Sequence, residues 1–154
     1  MVCCSTAYCC MGSALGILMN KNDKKMLAHA LSIADCSDYG RYHMGCVVAQ
    51  KNTVLNTAFN TCKTHPLQKK YNRERFPEDD KPHYLHAEIH ALAPLLNEEI
   101  EWSKVTVYVA RKRKCDGENG MARPCAGCMK MIKGLGVKRV VYTTDFGTAE
   151  ERID

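Results

Sequence analysis

Leu85-His86-Ala87-Glu88-Ile89-His90-Ala91-Leu92, answered farther along by Pro124-Cys125-Ala126-Gly127-Cys128, holds one imidazole, two thiols and one carboxylate in two short segments. His86, Cys125 and Cys128 make a three-ligand zinc set with an open fourth position, and Glu88 stands beside it as a proton carrier that need not bind metal. The first segment has an apolar recurrence at Leu85, Ile89 and Leu92 that predicts a helix, with His86 and Glu88 in its first turn. Pro124 suits the first position of a second helix, Cys125 to Lys133, because its missing N–H costs nothing there. Cys125 and Cys128 then share one face of that helix, near an N-terminus that favours thiolate over thiol. Two helix starts facing each other would build the site.

Blander readings of the same residues are a closed zinc staple and a buried histidine with two core thiols. A staple needs a fourth ligand, and no second CxxC stands near Cys125. The zincin pattern fails on order, since it requires Glu directly after the first His and Ala87 intervenes. Glu two residues after His, and Pro directly before Cys, form instead the H-x-E…P-C-x-x-C signature of zinc-dependent nucleobase deaminases. By these residues the chain resembles the cytidine/deoxycytidylate deaminase superfamily. The resemblance implies an α/β, three-layer α-β-α fold with a mixed central sheet, and replacement of a ring amine by hydroxyl with release of ammonia. Zinc would lower the pKa of a bound water from 15.7 to about 7. Glu88 would carry its proton to the ring nitrogen and then to the departing ammonia, help typically worth about 10²–10⁴ in rate.

At 154 residues, 45% hydrophobic and 25% charged, the chain has the size and composition of one ordinary globular domain. No apolar run approaches the roughly 18 residues of a membrane span. Residues 1–21, with Cys3, Cys4, Cys9 and Cys10, read as a disordered appendage without the basic start of a secretory signal, and 22–154 as the deaminase domain. Ten cysteines raise a disulfide scaffold, but thiolate ligation points to a reducing, cytoplasmic setting. A net charge of +5 is mild. Its basic residues gather before His86 (Lys63, Lys69, Lys70, Arg73, Arg75, Lys81) and before the cysteines (Arg111, Lys112, Arg113, Lys114, Arg123). They read either as solvated loops or as a phosphate-attracting rim.

Helical periodicity runs from Asp23 through Ala34; Cys46–Ala49 and Val54–Phe59 read as strands joined at Lys51-Asn52-Thr53. A loop is expected from Asn60 to Tyr84, then the His86 helix, kinked or ended at Pro94. A third strand, Val105 to Ala110, a loop to Arg123, the Cys125 helix ending near Gly134 or Gly136, and a fourth strand, Val137 to Thr143, complete the order. This alternation implies a mixed sheet with helices on its faces and a parallel last crossover. About ten residues follow Thr144, too few for the further helix and strand that many relatives of the superfamily carry.

The resemblance also implies substrate contacts. Asn60 matches an asparagine that holds the sugar, and Ala87 the residue whose backbone N–H meets the base carbonyl. His90 departs from deoxycytidylate deaminases, which usually have Asn there, and is similar to riboflavin-pathway deaminases; it would either reach the substrate or sit satisfied under the loop. Arg123 departs from the Ser of many small-substrate relatives and the Glu of tRNA adenosine deaminases. The long charged insert before the cysteines suits a lid over a small substrate. Cys62 and His65, with Cys115 or His83, would be needed for a second zinc.

A free pyrimidine nucleotide, dCMP first and then cytidine or deoxycytidine, is the expected substrate of an expected homo-oligomer. A riboflavin-pathway-like pyrimidine deaminase remains open. So does a nucleic-acid deaminase taking a flipped or single-stranded base, although aromatic content is 7%, with Tyr71, Phe76 and Tyr84 as the stacking candidates. A non-catalytic zinc sensor would not require Glu88.

Overall fold

The computed structural model describes residues 19–73 and 82–154. Helix α1 (Lys21–Ala34) begins where the Asn20 side chain accepts a hydrogen bond from the Asp23 N–H, and buries Met26, Leu27, Ala30 and Ala34. Met19 packs beside it. Residues 1–18, with the four N-terminal cysteines, lie outside the described residues.

Strands β1 (His43–Gln50) and β2 (Thr53–Phe59) form the expected hairpin, with Lys51 at φ 54° in its turn. β3 (Val105–Lys112) pairs antiparallel with β1, and β5 (Arg139–Thr144) runs parallel to β3. The sheet order is β2-β1-β3-β5-β6, with the two-residue β4 (Asn119–Gly120) on the end of β3 and β6 (Gly147–Arg152) antiparallel to β5.

Alternation along the strands sorts the core into two layers. Cys46, Val48, Val107, Val109, Val140 and Tyr142 face α3 (Ala87–Leu92) and α4 (Ala126–Leu135), while Val47, Ala49, Tyr108, Ala110 and Val141 face α1. The fold is therefore the expected three-layer α-β-α arrangement around a mixed sheet. Each fully buried Val, Ile, Leu or Met contributes roughly 1.5–3 kcal/mol.

Four local features differ from expectation. The Asn60–Tyr84 stretch contains a helix, α2 (Pro66–Asn72), opened by Pro66 and by His65, whose Nδ1 accepts from the Leu67 N–H. Its buried positions are Gln68 and Asn72, polar residues that no apolar periodicity reveals. Pro124 stands outside α4, which starts at Ala126 with Cys125 as its cap; β-extended backbone at Cys125 is what the site needs. Part of the insert before the cysteines is the β3–β4 hairpin. The residues after Thr144 form β6, whose polar face escapes a hydrophobic alternation test. Pro94 ends α3 in a 3-10 turn, Ala93–Leu95, and Gly136 stops α4 at φ 95°, the left-handed conformation glycine adopts without strain. Among the described residues no helix is long and apolar enough to cross a membrane.

Candidate active site

His86 and Cys125 occupy equivalent places: each is the cap of a helix, and neither uses its side chain to cap. Both side chains turn toward each other instead. His86 Nδ1 lies 3.6 Å from Cys125 Sγ and 3.4 Å from Cys128 Sγ. A tetrahedral zinc with its usual bonds to nitrogen and sulfur holds those atoms about 3.6 Å apart, so the donor set fits the ion. Among the described residues these three form the one cluster of possible metal ligands, all donor atoms within 4.8 Å. Cys62, His65, Cys115 and His83 do not gather into a second. Cys62 Sγ bonds the Asp38 carbonyl and His65 caps α2.

The two thiols are coupled to each other. A hydrogen bond from Cys128, helped by His86, holds Cys125 down to about 3, while that same bond and burial push Cys128 well up. A cation held by both sulfurs would favour the thiolate form of each.

Glu88 is the second residue of α3 and only 2% exposed. Burial pushes its carboxyl up, with His86 pulling partway back, and its Oε2 is buried without a hydrogen-bond partner. An unsatisfied buried carboxylate oxygen costs about 1–3 kcal/mol or more. Its position beside three metal donors is where such a cost has a chemical use. Cys46, in β1, lies close enough that the Glu88 charge adds to burial in raising its thiol.

A cavity of about 610 Å³ adjoins the site, with Tyr39, Arg41, Tyr42, Asn60, His83 and His86 on its wall. Asn60 is buried: its Oδ1 accepts from the Met44 N–H and the Ser37 hydroxyl, and its Nδ2 donates to the Tyr42 carbonyl. Ala87 is the first residue of α3, so its N–H has no intrahelical acceptor. His90 Nδ1 meets the Phe59 carbonyl at 2.8 Å and its ring packs edge-on to Phe59. Arg123 is clasped by Glu151 of β6 through two hydrogen bonds of 2.7 and 2.9 Å.

The second basic stretch is largely committed within the protein. Lys112 pairs with Asp35, Arg113 with Asp116 and Asp145, Lys114 bonds the Gly40 carbonyl, and Arg111 packs on Tyr42. Sequence reasoning missed Tyr39 and Tyr42, which join Tyr84 in an aromatic cluster with centroids 4.9 and 5.6 Å apart. It also missed Gln68 and Asn72 behind His86; Pro66, at the first turn of their helix, was the one local signal.

Residues 20–144 match the family model described as "Cytidine and deoxycytidylate deaminase zinc-binding region". No curated protein matches the chain at a significant level. Among solved structures, the chain is similar to dCMP deaminase from the cyanophage S-TIM5, in apo form and in complex with dCMP and dUMP. Identity is 20% with a TM-score of 0.56, over 82% of this chain and 86% or 84% of those chains. It is also similar to cytidine deaminase from Burkholderia pseudomallei, at 15% identity and a TM-score of 0.58, over 87% of this chain and 93% of that one. At these identities the likeness establishes the fold. The family match, spanning most of the chain and carrying its metal-donor triangle, establishes more: the protein belongs to the zinc-dependent cytidine and deoxycytidylate deaminases.

Proposed function

We propose that this hydrolytic deaminase acts on a free cytosine nucleotide, dCMP first, with His86, Cys125 and Cys128 holding zinc and Glu88 moving the proton. The observation that carries the reading is the unpartnered Oε2 of buried Glu88 beside the donor triangle. Bound zinc supplies a water acidified to about pKa 7. Glu88, its own carboxyl pushed up by burial, is matched to take that proton and pass it to the ring nitrogen and the leaving amine. The Ala87 N–H, at a helix start, would meet the base carbonyl, and Asn60 would lie against the sugar. His90 and Arg123 are assigned supporting parts: His90 orders the floor under the substrate through Phe59, and Arg123 steadies the loop leading to Cys125 through Glu151.

Two observations, the cavity and the engaged basic residues, support a nucleotide over a polynucleotide, and a third favours it over a nucleoside. The cavity is the size of a single small ligand. Arg41, an exposed cation on its wall, favours a phosphate-bearing substrate. The basic residues at 111–114 and Arg123 are engaged with the protein's own carboxylates, carbonyls and rings, which leaves no continuous track for a backbone there. The phage enzyme of similar fold was crystallised with dCMP and dUMP.

Ammonia release from dCMP, dCTP, cytidine, deoxycytidine and a cytosine-bearing single strand tests the reading. Turnover of dCMP in preference to the others is expected; turnover of the oligonucleotide alone would overturn it.

A further inference from the structure

We infer that Gln68, a buried amide of α2, positions the metal centre: it holds the peptide of His86 where the chain turns into α3, and so sets how tightly the donor triangle grips zinc. The inference deepens the zinc-donor assignment proposed above and rests on it. Gln68 is fully buried, and both of its polar atoms are engaged. The backbone N–H of His86 donates to Gln68 Oε1 at 2.9 Å, and Gln68 Nε2 donates to Asn72 Oδ1 at 2.9 Å. The backbone donor fixes the orientation of the amide, because the reversed group would set N–H against N–H.

The need for this contact is visible in α3. A helix start often satisfies the N–H of its cap with a Glu or Gln three residues on. His86 is the cap of α3, and the residue three on is Ile89, apolar and fully buried. The His86 ring is turned to the cysteines and does not cap the helix. Leu85 is tied in both directions, its N–H to the Lys63 carbonyl and its carbonyl to the Thr61 N–H. The next N–H belongs to the residue that carries the imidazole, and Gln68 supplies its acceptor from a different element. The same helix meets the segment of the other two donors through its backbone, since the Tyr71 carbonyl leaves Gly127 no room for a Cβ. α2 thus touches both ligand-bearing segments. Gln68 itself does not reach the metal and is a positioning residue; groups that orient a metal ligand in this way typically set affinity by about 10–100-fold.

Full-length parent, Gln68→Met, Asn72→Leu and Cys125→Ser are each stripped of metal under reductant and titrated with zinc against a chromogenic chelator, with circular dichroism of the metal-free forms alongside. Gln68→Met keeps the volume and removes the acceptor. Asn72→Leu breaks the other arm of the amide and leaves the acceptor in place. Gln68→Met is expected to raise the zinc dissociation constant at least about tenfold, and Asn72→Leu to leave it within about threefold, although both lower the stability of the metal-free protein. A role confined to holding the fold together would move the two constants alike. Coupling is reciprocal, so zinc must in turn steady α2. In the parent, amide exchange of residues 66–72 should therefore slow on zinc loading by more than that of Met26–Ala30 in α1, a readout that stands even if Gln68→Met does not fold. An unchanged zinc constant in Gln68→Met, an equal loss in Asn72→Leu, or exchange at 66–72 that ignores zinc overturns this inference alone. A tight zinc site that survives Cys125→Ser overturns the donor assignment and this inference with it.

Discussion

A Cβ built on Gly127 would lie 2.8 Å from the backbone oxygen of Tyr71. Helix α2 therefore rests directly on the turn between the two cysteines, and the glycine inside Cys125-Ala126-Gly127-Cys128 is there for contact as much as for the metal. Through Gln68, the same helix reaches the backbone of His86, so the site is gripped from both sides by one short helix.

Gly127→Ala should accordingly destabilise the protein by about 1–3 kcal/mol, the usual cost of overpacking, although alanine is the better helix former. Urea unfolding with a zinc assay alongside measures it. A variant at least as stable as the parent would show that α2 can move away freely.

Glu88→Gln should retain one zinc per chain and lose at least 10²–10⁴ in kcat, since the amide fills the same space but carries no proton between water and ring. Loss of zinc in this variant would make Glu88 a ligand and the assignment of its role wrong.

Removing the metal should lower thermal stability as well as activity. If zinc is present at about a thousand times its dissociation constant, linkage supplies roughly 4 kcal/mol, on the order of 10 °C in melting temperature for a chain of this size. Chelation followed by differential scanning calorimetry tests this, and an unchanged melting temperature would mean that the donor triangle holds together without the ion.

Acid should act through Asp23. Burial raises its carboxyl, but the Arg139 fork and the Tyr108 hydroxyl outweigh that and hold it below the ordinary carboxylate value. A group depressed in the folded state contributes stability that is complete above its unfolded pKa, about 3.9, and fades as pH falls through the lower folded value. Asp23→Asn should cost about 3 kcal/mol at neutral pH, because Arg139 loses a buried partner, and should flatten the stability profile below pH 4. An identical acid limb in parent and variant would remove Asp23 from the explanation.

The elements legible in the chain were α1, through the apolar period of Met26, Leu27 and Ala30, the strands β1 and β3, through Cys46–Ala49 and Val105–Ala110, and α4, through Pro124 and the spacing of Cys125 and Cys128. The metal donors were legible for a different reason. Their chemistry is concentrated in residue types whose spacing has few other uses. α2 was not, because what it buries is amide, and a buried Gln68 or Asn72 looks in sequence like a surface one. β6 was hidden likewise, its Glu150 being an edge-strand residue paired with both Arg152 and Arg139.

Local order along the chain was enough to specify the elements of the layered fold and the two segments that carry the zinc donors and the carboxylate, since each segment is read from residues a few positions apart. That His86 and Cys125 meet, why Gly127 has no side chain, and where Arg123 finds its partner were decided only when segments 28 to 56 residues apart came into contact. Hydrogen-bond polarity and close packing are properties of pairs in space, and no single stretch of sequence carries them.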